Sequence, residues 1–230
     1  MEVMGKIIAI EGTDGSGKGT QAKLLREHLS RICWPVDSLS FPRYGEKSAV
    51  PVEAYLRGEF GDPDGISPYA ASLFFAIDRF VAASSILDKL SVGKMLVLDR
   101  YVDSNAGHQG GKIADLAERE RFLAWLYATE YDVLKVPKPD LVIILRVPAE
   151  VGQRLVLEKT QRQYLGNAKQ DGHEANLQHL KNAEASYLWL ARHDPGIHRL
   201  IECCVGDELL PPEQIAELVW KEVEKILPRE

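Results

Sequence analysis

The sequence predicts an α/β fold in which a central five-stranded parallel sheet is covered by helices on both faces. Three observations lead there: five short β-rich runs, helical spacing in the long segments between them, and a glycine-rich turn joining the first run to the first helix. Strands that alternate with helices build a parallel sheet with helices above and below it. At 230 residues the chain can bury one good core, so a single domain spanning 1–230 is expected.

The strand runs are 6–10 "KIIAI", 36–40 "VDSLS", 94–98 "KMLVL", 140–146 "DLVIILR" and 197–203 "IHRLIEC". After the glycines, Ala22, Leu25, Leu29 and Ile32 recur every three or four residues, as one buried helix face requires. Ser67-Pro68 reads as a hydroxyl cap followed by proline at the first helical position, opening a helix to about residue 91. Further helices are expected near 113–130, 149–160, 173–193 and 212–227. No internal repeat, low-complexity segment or linker interrupts the pattern.

Composition narrows the function classes. Apolar residues make up 45% and charged residues 27%, an ordinary balance for a soluble protein. The formal charge of −6 argues against a nucleic acid polymer or an anionic membrane as partner, while leaving room for a small anion in a local basic pocket. Cys33, Cys203 and Cys204 are odd in number and lack metal-ligand spacing, so reduced core thiols are expected. "MEVMGKIIAI" has neither the charged nor the hydrophobic region of a signal peptide. Continuous apolar runs such as "LVIIL" are far shorter than the ~20 residues that cross a bilayer, and a cytoplasmic location follows as the default.

In sheets of this type ligands sit at the carboxyl ends of the strands, which directs attention to 11–20, 41–45 and 99–109. The first contains G-x-x-x-x-G-K, from Gly12 through Asp14, Gly15, Ser16 and Gly17 to Lys18. Such a loop over 12–20 lets backbone N–H groups and a helix N-terminus converge on phosphate oxygens, with Lys18 reaching the β- and γ-phosphates of a nucleoside triphosphate. Gly19 stands where a hydroxyl usually meets Mg²⁺, and Thr20 is the nearest replacement. The spelling "GKGT" resembles adenylate kinases, which implies a metal held largely through water and by a carboxylate elsewhere. Asp99, ending the third strand run, is the first candidate for that carboxylate and Asp14 the second.

The other two stretches carry "FPRYG" (41–45) and "DRYVDSNAGHQ" (99–109), and the long helix carries "FFAIDR" (74–79). Phe75 and Arg79 are spaced i, i+4 on one helix face, where a ring and a guanidinium can stack on a base and bond its edge. On the residues alone, Phe75 reads as readily as a core aromatic and Arg79 as a surface ion-pair partner. Asp99 and Arg100 likewise read either as a mutually satisfying pair or as ligands for metal and anion.

Taken in chain order, the glycine loop and these three stretches, four motifs in all, resemble the thymidylate kinases over nearly the whole chain, and bacterial members especially. The resemblance implies a three-layer P-loop kinase fold with a small mobile lid, phosphorylation of dTMP by ATP with Mg²⁺, and a homodimer. It implies that Phe75 stacks on thymine, Arg79 bonds its carbonyl, and Arg100 grips the acceptor's phosphate with Arg43 or Tyr44 assisting. Ser104 and Asn105 match residues that contact the pyrimidine ring, though both also suit a turn or cap. Phe41 and Gln109 complete the acceptor set. His108 departs from the pattern, standing where many members place a larger aromatic ring against the deoxyribose.

Some thymidylate kinases carry an arginine inside the glycine loop, and Asp14-Gly15-Ser16 offers none. The resemblance then points to a basic lid at about 158–172, "EKTQRQYLGNAKQDG", with Arg162 as the main cation, Lys159 next, and Lys169 also present. A solvated loop with scattered charges reads the same way. Arg154 matches an adenine-stacking arginine, and Gly206 would let backbone approach the base. The competing readings are a kinase of this fold acting on dUMP, another pyrimidine nucleotide or a deoxynucleoside, and a non-catalytic module that senses ATP.

Overall fold

The computed structural model describes residues 4–163 and 177–227, with only the backbone of 159–163. In chain order its main elements are β1 (Ile7–Gly12), α1 (Lys18–Arg31), β2 (Val36–Ser40), α2 (Val50–Leu56), α3 (Pro68–Ser91), β3 (Met95–Asp99) and α4 (Asp103–His108). There follow α5 (Leu116–Tyr127), β4 (Leu141–Arg146), α6 (Ala149–Gln163), α7 (Leu177–His193), β5 (His198–Glu202), a short hairpin of β6 (Cys204–Val205) and β7 (Glu208–Leu209), and α8 (Pro212–Val223). The central sheet is five-stranded and parallel, in the order β2-β3-β1-β4-β5.

Alternation along the strands divides the core in two. Ile7, Ala9, Leu96, Leu98, Val142 and Ile144 face one layer, with Ile86, Phe122, Leu126 and Leu190 from α3, α5 and α7. Ile8, Ile10, Met95, Val97, Ile143 and Leu145 face the other, with Leu25 and Leu29 from α1 and Ile215 and Val219 from α8. Burial on both faces is why β1, β3 and β4 read as nearly continuous apolar runs. Residue α-carbon pairing is direct across the centre: Ile8 lies opposite Val97 on one side and Leu141 on the other.

Several local expectations need correction. Ser67 sits at the cap of α3 but makes no side-chain cap hydrogen bond; Pro68 at the first position supplies the start by fixing φ. The helix expected over 113–130 begins at Leu116, where Asp115 caps it by accepting from the Glu118 N–H at 2.8 Å, and then widens into a π-helical turn, Ala128–Val133. Cys33 is exposed rather than in the core, whereas Cys203 is buried and its thiol is pushed up to about 12 by desolvation. Although no continuous run reaches membrane length, α3 as a whole has the length and apolar content of a spanning helix. Here it is a core helix, with Ala82, Ile86 and Leu90 packed under the sheet and Asp78 and Arg79 buried in its middle.

Candidate active site

Strand order explains why the glycine loop and the 99–109 segment meet. β1 and β3 are neighbours, Ile10 pairs with Asp99, and each strand leads directly into one of the two segments. The chain leaves β1 for both halves of the sheet, so its end is the switch point at which such sheets bind ligands.

The loop runs from β1 into α1, whose first residue is Lys18 and whose cap, Gly17, holds a left-handed φ of +82°. Gly15 is required by a neighbour: a β-carbon there would stand 2.4 Å from the carbonyl oxygen of Gly152 on α6. Lys18 is only 7% exposed and donates from Nζ to the Thr13 carbonyl at 2.8 Å. Burial first, and the Arg100 charge second, lower the Lys18 ammonium to about 8, with Asp14 acting the other way. The hydroxyls of Thr13 and Ser16 are buried without a hydrogen-bond partner among the described residues.

Arg100 adopts a left-handed φ of +67°, a conformation that costs a non-glycine residue about 1–2 kcal/mol. The turn is pinned from β1: the Arg100 N–H donates to the Ile10 carbonyl at 3.0 Å, and the Tyr101 N–H to Glu11 Oε1 at 2.6 Å. Glu11 is fully buried and also accepts from Ser104 Oγ at 2.7 Å and the Tyr187 hydroxyl at 3.1 Å. Burial, more than the nearby Asp103, raises its carboxyl above the usual range. The strained turn aims the Arg100 guanidinium across the loop, where Nη2 pairs with Asp14 and Nη1 bonds His108 Nε2 at 3.1 Å. Its partner is therefore Asp14 rather than its chain neighbour Asp99. Burial would raise the Asp14 carboxyl, but Arg100 and then Lys18 hold it well below the ordinary carboxylate range.

Asp14 and Arg100 line an open pocket that also takes in Phe41, Tyr44, Phe75 and Arg79. From α4 and its end come Ser104, Asn105, His108 and Gln109. Of the acceptor residues suggested by the sequence, Arg43 alone is absent from the lining. It is tied to α3 by donating from Nε to Asp78 Oδ1 at 2.9 Å and from its N–H to Asp78 Oδ2 at 2.7 Å, which anchors the 41–45 turn. Arg79 is 1% exposed and held by Glu130 through Nε and Nη2, with Nη1 on the Tyr101 carbonyl at 3.2 Å. Asn105 donates to the Ser72 carbonyl at 3.1 Å, and Gln109 Oε1 is buried without a partner among the described residues.

Asp99 stands beside the start of α1, with its Oδ2 at 3.1 Å from where a Gly19 β-carbon would lie. Thr20, one residue further along, is exposed. Arg154 on α6 reaches the Asp207 carbonyl at 3.1 Å, in the β6–β7 turn that also holds Gly206 at φ +59°. The side chains of Lys159 and Arg162, and all of Lys169, lie outside the described residues.

Sequence reasoning missed four residues that shape this site: Glu11, Glu130, Gly152 and His179. An acid inside the apolar "IIAIEG" run was the one available signal for Glu11. The others act through partners distant in the chain, such as Arg79 and Glu130, which are 51 residues apart.

A family model described as thymidylate kinase matches residues 10–201. Among known proteins, the thymidylate kinase of Mycobacterium tuberculosis is 34% identical over 218 residues, covering 94% of this chain and 99% of its own. That of Pelotomaculum thermopropionicum is 32% identical over 212 residues, covering 90% and 89%. A solved thymidylate kinase from Candida albicans superimposes with a TM-score of 0.70 at 24% identity, over 96% of this chain and 92% of the other, a likeness of fold.

Proposed function

This chain belongs to the thymidylate kinase family, and we propose that it transfers the γ-phosphoryl group of ATP to dTMP, releasing ADP and dTDP. One observation carries the reading: the cation of the glycine loop and the cation of the acceptor pocket converge on one carboxylate. Asp14 Oδ1 is 4.0 Å from Lys18 Nζ and forms an ion pair with Arg100. Two anion-binding groups this close suit a donor triphosphate and an acceptor monophosphate lying end to end.

Phosphoryl transfer asks the protein for alignment and positive charge. An oxygen of the dTMP phosphate attacks the γ-phosphorus while the bond to the β-phosphate oxygen breaks and the electron pair stays on ADP. Lys18 and the N–H groups of the loop hold the donor, and Arg100 holds the acceptor's phosphate, with Tyr44 beside it. Phe75 supplies a face for thymine, Arg79 bonds a base carbonyl with the donors left free by Glu130 and Tyr101, and Arg154 packs on adenine.

The residues present fit Mg²⁺. Among the described residues no group of three acidic, histidine or cysteine side chains could hold a metal by itself, and Gly19 leaves space beside the Asp99 carboxylate. One carboxylate with water and phosphate oxygens is how this ion is usually held. Bound there, Mg²⁺ would neutralise phosphate charge, and Asp99 would be its protein ligand, since Asp14 is committed to Arg100.

The segment at about 158–172 begins in the last turns of α6, which runs to Gln163, and Arg162 there would be the cation on the transferring group. The chain acts as one domain in the cytoplasm and as a homodimer. Support for the dimer is a stripe of exposed apolar side chains on α3, Leu73, Ile77, Phe80, Val81 and Leu87, at helical spacing.

An ADP-release assay with Mg²⁺–ATP and dTMP, dUMP, the ribonucleotide TMP or thymidine tests the proposal. Turnover is expected with dTMP and not with thymidine, which lacks the phosphate that Arg100 grips. ATP binding without phosphorylation of any acceptor would contradict it.

A further inference from the structure

Two histidines meet at the acceptor pocket. His108, at the end of α4, meets His179 in the first turn of α7 edge to edge, with ring planes 19° apart and centroids 5.4 Å apart. Both line the pocket, and His179 is 7% exposed. The hydrogen bonds between them have a readable direction. A guanidinium only donates, so His108 Nε2, at 3.1 Å from Arg100 Nη1, must be the acceptor. The proton of neutral His108 then lies on Nδ1 and is donated to His179 Nε2 at 3.1 Å. That leaves the His179 proton on Nδ1, which faces Asp64 Oδ1 at 3.7 Å. Burial, the largest influence, holds His108 well below the ordinary histidine value and so keeps its ring neutral and able to accept.

The two helices leave little slack for rearrangement. A β-carbon on Gly107 would stand 2.4 Å from the Tyr187 ring, and one on Gly111 would stand 2.9 Å from the Asn182 backbone. The separation of the histidines is thus fixed by backbone packing. The Arg100 guanidinium in turn has two anchors, Asp14 on Nη2 and His108 on Nη1.

We propose that His179 is a positioning residue for the acceptor: it fixes His108 in the tautomer whose Nε2 accepts from Arg100, and so aims the guanidinium at the incoming phosphate. Without an acceptor at position 179, His108 is free to carry its proton on Nε2, which would set donor against donor and leave Arg100 anchored by Asp14 alone. The effect is expected to fall on acceptor binding more than on ATP, because the two histidines meet at the acceptor pocket.

This inference rests on the reading that the acceptor is a nucleoside monophosphate, and two measurements separate the failures. The first needs no substrate: ¹⁵N NMR of histidine-labelled wild-type protein, assigned with single His→Gln variants, is expected to show His108 protonated on Nδ1. A proton on Nε2 of His108, or an averaged signal from both tautomers, overturns the proposal. The second is steady-state kinetics. His179→Leu is expected to raise KM for dTMP about tenfold while KM for ATP changes less than about twofold, the scale of one lost hydrogen bond. His179→Gln, whose amide oxygen can accept from His108, is expected to recover most of that loss. An unchanged dTMP KM, equal losses for both substrates, or a Gln variant no better than Leu each overturns it. If the Leu variant does not fold, the tautomer and the Gln variant decide. Failure of wild-type protein to phosphorylate dTMP would instead remove the proposed function and leave the tautomer result standing.

Discussion

Replacing Glu130 by Gln removes one charge from a pair that water does not reach. Arg79 is 1% exposed and Glu130 fully buried, and two guanidinium nitrogens, Nε and Nη2, bond this carboxylate. Burial works against the Arg79 cation, and Glu130 reverses that effect and raises its pKa. The amide keeps the shape and one acceptor but leaves the guanidinium uncompensated, a change that costs about 3–5 kcal/mol when one partner of a buried pair is lost. For a domain of this size that corresponds to a fall in Tm of roughly 6–20 °C. Arg79 also loses its brace at the pocket wall, so KM for dTMP is expected to rise about tenfold, equivalent to ~1.4 kcal/mol. Urea unfolding at neutral pH reads the first effect and dTMP saturation kinetics the second. A double variant, Arg79→Met with Glu130→Leu, separates them: stability should largely return, because no buried charge remains, while dTMP affinity should not. A stability loss below about 1 kcal/mol in Glu130→Gln, with unchanged dTMP KM, would refute the reasoning.

Other perturbations give equally direct readings. Because Lys18 sits at about 8 in the ligand-free enzyme, kcat/KM for ATP should fall as pH rises through that value, and a flat profile to higher pH would contradict this. Both His198 ring nitrogens face oxygen acceptors at 2.8 Å, Asp103 Oδ2 and the Asp194 carbonyl, so the ring is held as a cation. Burial, the largest single influence, opposes that charge, but Asp103 and Asp194 together outweigh it, and the folded-state pKa is raised. Its stabilisation is complete below the ordinary value of about 6.5 and is lost as pH rises through the folded value. The unfolding free-energy difference between wild type and His198→Gln should therefore shrink on the alkaline side, and a difference that grows there would reverse the sign. Gly152→Ala places a β-carbon 2.9 Å from the Asp14 carbonyl, so kcat/KM for ATP should fall ~10²-fold by displacing the loop. Wild-type kinetics in that variant would show that the loop tolerates the contact.

The three central strands were readable to within about two residues because burial on both faces leaves an apolar run, as in "MLVLD" and "LVIILR", while the edge strands β2 ("VDSLS") and β5 ("HRLIE") are only partly buried and carry polar residues. The glycine loop was readable because its spelling is local. α2 and α4 were missed because helices of 7 and 6 residues are too short to show a period. The π-helical turn escaped too: it holds Glu130, whose partner Arg79 is 51 residues away and gives no local signal. In the site, types of residue were legible and their partners were not. "DRYVDSNAGHQ" announces Arg100, but only the fold shows that Asp14, and not Asp99, receives it. The same holds for Arg43, whose Asp78 partner belongs to the "FFAIDR" helix, and for His108, whose partner His179 lies 71 residues further along the chain.

Central to this account is direct passage of one phosphoryl group between two anion sites that face each other at the ends of β1 and β3. The stereochemical course tests it most directly, by following γ-phosphate made chiral with oxygen isotopes from ATP into dTDP. A single in-line transfer inverts the configuration at phosphorus, and inversion is the expected result. Retention would mean two successive transfers through a phosphorylated side chain, which this arrangement of Lys18, Asp14 and Arg100 does not provide.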